Sequence, residues 1–539
     1  MSKKLLNLLL VVMMLAVFVP TTLAAPPAQE EGQDYVVVAD DWLSKLADKY
    51  LGNTMAYPAI VEFTNQKHAE DASYAEITDP DLIEVGWKIY IPSAEEAAAL
   101  APAAPPAAAV TLVFGDWHLT EPHWEAALIE AFEIFEAEYP NIDIELDYVS
   151  YADKETKYTT EIEAGVGPDV FHLHGYSLKS FIEKGYLYDI TPFIEAEEGV
   201  YGGDFLTPWY PQTLELMHDE GTYYAMPGDF MSMILFYNKN LFEEAGLDPN
   251  KPPSTWDEFV EYAKKLTRDR DGDGQIDTWG FGTIGAIDPG FELRVTPILF
   301  SHGGDYLTPD NKCSALNTPE AKEAFKFFVE LVTVHEVVPP GVTAQNPGTV
   351  REQMANEQIA MLLGSGWTPP IVDGVNPDLN ALEVLEAAPV PVKAGLEPEF
   401  STTAWISAWM INRNTKHPEE AWELVKFITS KTMEEKWFDD ANVLSSRRDV
   451  SGGLEAQGVE GYDTLLGDKF AKVNAAELAH AKFVPQLKEW PQIIEAVNTA
   501  AQEGVTGAKS PEQALEDAYD QINEILSVYR AAGETCPAF

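Results

Sequence analysis

The sequence predicts an α/β fold for most of the chain, and three observations lead there. Residues 110–114 form a short apolar run of the kind found in buried strands. Trp124, Leu128, Phe132, Phe135 and Tyr139 then recur at three- and four-residue spacing, as on one face of a helix. Ile142, Ile144, Leu146 and Tyr148 alternate with polar residues, and 170–173 follow as another apolar run. Strand, helix, strand at this spacing argues for βαβ units and a sheet faced by helices.

Helix starts later in the chain are marked by capping residues. Thr255 with Glu258 reads as a capping box. Ser510, with Pro511 at the first helical position, opens a helix whose stripe is Leu515, Tyr519, Ile522, Leu526 and Tyr529. At 539 residues the chain exceeds one ordinary domain, and 46% hydrophobic with 23% charged residues is a globular balance.

Charge narrows the partners. There are 35 Lys and Arg against 88 Asp and Glu, a formal charge of −53. Such a surface repels phosphate backbones, so no nucleic-acid partner is expected. Cys313 and Cys536 are the two cysteines. In an oxidising compartment such a pair forms a disulfide or stays apart, and spacing alone leaves both open.

The organisation read from composition has four parts. Residues 1–25 read as a signal peptide: Lys3 and Lys4, an apolar run over 5–19, then small residues around Ala24 and Ala25. No cysteine follows the run, which argues against a lipid anchor. A secreted protein, periplasmic or wall-associated, is expected. A small unit occupies 34–93, an Ala/Pro-rich linker 94–109, and a long unit 110–539. Its densest Ala/Pro stretch, 97–109, could span about 40 Å as extended chain.

In the small unit, residues 35–38 read as a strand and 40–50 as a helix with Trp42, Leu43, Leu46, Ala47 and Tyr50 on its apolar side. Gly52 reads as its stop. A second helix is expected over 59–65 and a closing strand over 87–92. This βααβ order, with Gly86 before Ile89, Ile91 and Pro92, resembles the LysM module. The turn Asp40-Asp41-Trp42-Leu43 departs from that family's usual Gly-Asp-Thr-Leu. The resemblance implies binding to peptidoglycan and related N-acetylglucosamine polymers.

The large unit carries an ordered series of blocks. They are Gly167-Pro168-Asp169-Val170, Gly185 to Thr191, Tyr224-Ala225-Met226-Pro227, Tyr237-Asn238-Lys239, Pro253 to Phe259, Gly364-Ser365-Gly366-Trp367, His417 to Phe427, and Gly507 to Leu515. Together they resemble extracellular solute-binding proteins of the maltose-binding type, the family 1 receptors of ABC importers. The resemblance implies a two-lobed periplasmic-binding-protein fold of type II. Hinge crossings would lie near 226–232, 390–405 and 443–446. It also implies a saccharide ligand, membrane permease subunits as partners, a monomeric receptor and no enzymatic activity.

A saccharide needs aromatic rings for its C–H faces and paired polar groups for its hydroxyls. The candidates are Trp367, Trp117, Trp405 and Trp490 for stacking, and Asp116, Glu121, Asp229, His174, Tyr176 and Arg448 for polar contacts. His172 and His174, two apart on a strand, suit one edge of a Zn²⁺ site. Asp269, Asp271, Asp273, Gln275 and Asp277 with Gly274 follow an EF-hand-type loop for a structural Ca²⁺. Its twelfth position is Gly280 in place of the bidentate Glu. A Gly-x-Ser-x-Gly elbow, a His-Glu-x-x-His motif and a P-loop are all lacking. Two other classes remain open at this stage: a wall-bound sugar sensor or structural protein without a transport role, and a metal-binding receptor.

Overall fold

The computed structural model describes residues 32–38, 41–51, 56–78, 83–93, 96–97, 109–201, 203–451 and 468–537. The expected signal peptide, Asp40, Gly52 and nearly all of the linker lie outside these residues. The chain divides into two compact units, Met1–Ala107 and Ala108–Phe539. No described helix is long and apolar enough to cross a membrane.

The small unit follows the strand, helix, helix, strand order: β1 (Gln33–Val36), α1 (Leu43–Leu51), α2 (Tyr57–Glu70) and β2 (Lys88–Ile91). β1 and β2 pair antiparallel, and the Val37 amide extends the ladder to the Trp87 carbonyl at 2.9 Å. Leu43, Leu46, Ala47, Ile60, Ile89 and Ile91 form its core. The boundaries differ from the sequence expectation. α1 starts at Leu43, which leaves Trp42 outside the helix and 45% exposed. α2 is longer than expected at both ends.

In the large unit the first sheet is built from β3 (Val110–Asp116), β4 (Ile142–Tyr148) and β5 (Val170–His174), with α3 (Pro122–Glu138), α4 (Lys154–Glu163) and α5 (Gly175–Glu183) between and after them. β3 pairs parallel with both β4 and β5, as βαβ connections require. β6 (Ala225–Ser232) leads through Met233 into β7 (Ile234–Asn238). From there follow α6 (Trp256–Leu266), α7 (Gly290–Ser301), α8 (Pro347–Ala355), β8 (Met361–Gly364) and β9 (Leu385–Ala388). β8, β7 and β9 make a second, antiparallel sheet. β10 (Thr402–Ile411) then returns to the first sheet, pairing antiparallel with β5 and β6. α9 (Lys431–Ala441), β11 (Ala481–Lys482), α10 (Trp490–Val505) and α11 (Pro511–Ile525) complete the unit, with β11 parallel to β10.

This is the two-lobed, mixed α/β periplasmic-binding-protein fold. The chain passes from the first sheet to the second at β6–β7 and back between β9 and β10. Near the third expected crossing, the Phe230 amide donates to the Leu444 carbonyl at 2.8 Å, and Asp229 forms a bridge with Ser445. Gly366 packs so close to this segment that a Cβ there would sit 2.1 Å from the Asn442 carbonyl oxygen, so no larger residue fits.

Local signals set the helices. Thr255 Oγ1 accepts from the Glu258 amide, and the Glu258 carboxylate accepts from the Thr255 amide, both at 3.3 Å, closing the capping box of α6. Ser510 caps α11, whose last expected turn tightens to a 3₁₀ helix over Leu526–Tyr529. Cys313 and Cys536 are joined in a disulfide that ties the C-terminal segment to the second lobe.

Glu434 of α9 is buried, with Oε1 lacking a hydrogen-bond partner. Burial pushes its carboxyl from 4.5 to about 8, against the opposing influence of Ser445 and Arg447. A raised carboxyl pKa means that the folded chain holds a proton the unfolded chain has released. Stability at this site therefore falls as pH rises from about 4.5 to about 8. Glu434→Gln is expected to raise the free energy of unfolding by ~1–3 kcal/mol above that window. In urea titrations the gain should vanish below pH 4.5, and a gain of equal size at both pH values would contradict this account.

Candidate ligand-binding site

A cavity of about 350 Å³ opens where the lobes face each other. The first lobe contributes Trp117, His118, Glu121 and Tyr151. The second contributes Asp288, Arg294, Asn346, Arg351 and Trp367, and the crossing segments contribute Asp229, Trp405 and Val443. This is the mix of rings and a few converging polar groups that small-molecule cavities use.

The local backbone explains the floor. The ladder between β6 and β10 slips between Ile406 and Ala408, a bulge-like irregularity. There the Ser407 hydroxyl donates to Asp229 Oδ1 while also accepting from the Asp229 amide at 3.1 Å. The Trp405 indole N–H donates to Asp229 Oδ2 at 2.8 Å. Asp229 is thus held from both oxygens at the base of the cavity. Trp367 and Trp405 stand 5.5 Å apart at 58°, offering two ring surfaces at different inclinations. The Trp367 Nε1 is buried without a hydrogen-bond partner among the described residues.

Behind the first-lobe wall lies a buried polar cluster. Asp116, at the end of β3, faces the Nδ1 atoms of both His118 and His172 at 3.3 Å and accepts from the His118 amide at 3.0 Å. Burial alone would raise the Asp116 carboxyl; His118 and His172 outweigh it and hold it well below the usual range. Burial would lower His118, and Asp116 reverses this, so its pKa is raised. For His172 burial wins, and its pKa is lowered. The His172 ring is sandwiched between Trp117 at 4.5 Å and Trp409 at 3.8 Å. This stack holds Trp117 upright at the cavity wall.

The sequence candidates divide accordingly. Trp117, Trp367, Trp405, Asp229 and Glu121 line the cavity. Asp116 is fully buried one layer behind, acting on His118 and His172. His174 and Tyr176 also fall short of the wall. His174 is completely buried beneath Trp405, at 4.0 Å between ring centroids, and its Nδ1 meets the Tyr176 hydroxyl at 2.6 Å. The reason is that β5 ends at His174 and α5 begins at Gly175, and the turn between strand and helix sets both side chains under the floor.

Trp490 and Arg448 lie elsewhere. Trp490 is fully buried against Tyr306, and its N–H donates to the buried Glu292 at 2.9 Å. Arg448 turns outward to the Thr207 carbonyl. The expected His172–His174 pair does not converge either. Among the described residues the ligand atoms that gather within 4.8 Å there are those of Asp116, His118 and His172.

In the acidic loop, the carboxylates of Asp269, Asp271 and Asp273 lie within 4.8 Å of one another. Asp269 accepts from the Gly272 and Gly274 amides at 2.6 and 2.7 Å, and Asp277 from those of Arg270 and Asp271 at 2.5 and 3.3 Å. Asp273 accepts from the Gln275 amide at 2.8 Å. At Gly280 a Cβ would strike the Ala263 backbone at 2.2 Å, so no glutamate fits the twelfth position.

Sequence reasoning missed Arg294, Arg351, Asp288 and Tyr151. Arginine scarcity was the available signal: the chain has eight, and two of them line this cavity.

Comparison with known proteins agrees with the geometry. Residues 116–435 match the family of bacterial extracellular solute-binding proteins. A binding protein of Brucella abortus (strain 2308) is 25% identical over 409 residues, which span 76% of this chain and 90% of its own length. An ABC transporter solute-binding protein from Thermotoga lettingae TMO, solved with α-D-tagatose, aligns with a TM-score of 0.68 at 26% identity. That alignment covers 78% of this chain and 100% of the other. A maltose-bound protein of T. maritima shares the fold, with a TM-score of 0.65 at 23% identity over 77% of this chain and 100% of its own. The chain belongs to the bacterial extracellular solute-binding proteins, a family whose members bind substrates and are not enzymes.

Proposed function

We propose that the large unit binds a saccharide between its lobes and presents it to the permease of an ABC importer. The carrying observation is Asp229, clamped by Trp405 and Ser407 at the base of a cavity walled by the inclined rings of Trp367 and Trp405. Rings of this kind cover the C–H face of a pyranose, and a fixed carboxylate accepts from its hydroxyls. The tagatose-bound relative supports the ligand class. Closure of the lobes over ligand is a hinge motion, and the crossing segments at Asp229 and Trp405 put the ligand beside the hinge.

The small unit is proposed to hold the receptor near peptidoglycan. Its βααβ order and its exposed Trp42 support this reading. The Asp269–Asp277 loop is proposed to hold a structural Ca²⁺ through Asp269, Asp271 and Asp273, with Gln275 and Asp277 completing the turn. The clustered carboxylates support it, and Gly280 removes the usual bidentate ligand.

A thermal-shift screen of the mature protein against mono- and oligosaccharides should give a concentration-dependent rise in Tm for a subset of sugars. Trp367→Ala should weaken that ligand by ~10–100-fold, the scale of a lost aromatic anchor. A complete lack of response to sugars would remove the saccharide reading.

In co-sedimentation with insoluble peptidoglycan, the intact chain should pellet and be released by N-acetylglucosamine oligomers. Trp42→Ala should reduce the pelleted fraction, and a chain that stays in the supernatant would leave the small unit as a spacer.

Ca²⁺ should raise Tm in a titration of the same protein, and Asp271→Asn with Asp273→Asn should abolish the rise. An unchanged Tm across millimolar Ca²⁺ would mean that the loop closes on its own hydrogen bonds.

A further inference from the structure

Two cations stand in the cavity with incomplete partners. Arg294, on α7, is 6% exposed, and its one hydrogen bond runs from Nη1 to the Gly290 carbonyl at 3.3 Å. Among the described residues no carboxylate pairs with it. Arg351, on α8, has a single ion pair, 3.6 Å from Nη1 to Glu121 Oε1, which is longer than a hydrogen bond. Its Nε is buried and has no partner.

The cavity's other carboxylates are engaged elsewhere. Asp229 is occupied by Trp405 and Ser407. Asp288 accepts from the Gly290 amide at 2.7 Å through one oxygen and acts on Arg294 only at longer range, without an ion pair. Burial, reinforced by the neighbouring Arg351, lowers the Arg294 guanidinium to about 10, and the opposing influence of Tyr151 and Asp288 falls short of reversing it.

A buried guanidinium without a hydrogen-bonded counter-charge is costly, and a second one beside it adds to the cost. The hydroxyls of a neutral sugar offset this only in part. A planar carboxylate or a phosphate offsets it through paired, charge-assisted hydrogen bonds that match the guanidinium fork. The chain's net charge of −53 opposes an anion at long range. Salt screens that field beyond ~8 Å at physiological ionic strength, so the local pair governs binding.

We propose that the ligand is an acidic saccharide, its carboxylate or phosphate seated at Arg294 and Arg351 and its ring against Trp367 and Trp405. This rests on the saccharide reading given above and narrows it. Glu121 would give up its long contact to Arg351 and turn to a ring hydroxyl.

The test is calorimetric titration of the intact protein with matched pairs: galacturonate against galactose, glucuronate against glucose, and glucose 6-phosphate against glucose, followed by the corresponding disaccharides and uronic-acid dimers. At least one acidic member should bind about tenfold or more tighter than its neutral partner, as expected for a charge-assisted fork. A preference in the uronate pairs assigns the carboxylate; a preference in the phosphate pair assigns the phosphate. Arg351→Gln, at a partly exposed position, should bring the acidic-to-neutral ratio to within about threefold, and added salt should narrow the ratio in the parent. Arg294→Lys, which keeps the charge and loses the fork, should narrow it by a smaller factor.

Neutral sugars binding as tightly as, or more tightly than, their acidic partners would overturn this inference and leave the saccharide receptor standing. An acidic preference that survives Arg351→Gln would overturn the assignment to this pair. Failure of every sugar, acidic and neutral, would overturn the saccharide reading and this inference with it.

Discussion

The antiparallel pairing of β6 with β10 is the constraint on which the site depends. β10 is buried along its whole length and joins strands from three separate parts of the chain. Where its register against β6 slips at Ser407, the backbone turns a serine hydroxyl and a tryptophan N–H toward the same carboxylate. Trp405 and Ser407, two residues apart on β10, share one face of the strand, and at the slip Gly228 and Asp229 of β6 together stand opposite Ser407, which sets the carboxylate within reach of both. The hinge and the base of the cavity are therefore one piece of sheet.

Aromatic stacking performs the second structural task. Trp117, His172 and Trp409 form a continuous pile behind the first-lobe wall, and Asp116 pins the histidine from its edge. The buried carboxylate answers the Nδ1 atoms of both imidazoles, which lowers the cost of polar groups within an apolar stack, while His172 Nε2 has no hydrogen-bond partner among the described residues. The rings that reach the cavity are thereby set on rigid supports. The arginines show the opposite arrangement: their charges are left incompletely answered within the protein. A binding site differs from a core in this respect, because a group left unsatisfied by the fold is available to the ligand.

Much of this fold was legible because it is written in local chemistry. The alternation over Ile142–Tyr148, the capping box at Thr255 and Glu258, and the Ser510-Pro511 start are short-range signals, and each element appears where its signal lies. The small unit was legible in order but less so in extent. α1 begins after Trp42, since helix propensity extends an amphipathic run without marking where tertiary packing ends it. The site was legible in part. Trp367, Trp117, Trp405, Asp229 and Glu121 stand close to element ends or crossings, where cleft residues are expected. His174 and Trp490 occupy similar positions along the chain yet turn into the core. A shift of one residue in register moves a side chain from one face to the other, and sequence spacing does not resolve that choice.

By itself the amino-acid sequence determined the α/β class, the order of elements in the small unit and at the start of the large one, the acidic balance of charge and the family blocks that run through the large unit. These follow from periodicity, capping and composition, which act over a few residues at a time. Tertiary structure decided which aromatic rings face the cavity, that Cys313 and Cys536 meet across 223 residues of chain, and that Arg294 and Arg351 come together opposite Glu121. Those outcomes depend on long-range register and on how two sheets fold over one another, and no local rule contains the distance between residues so far apart in the chain.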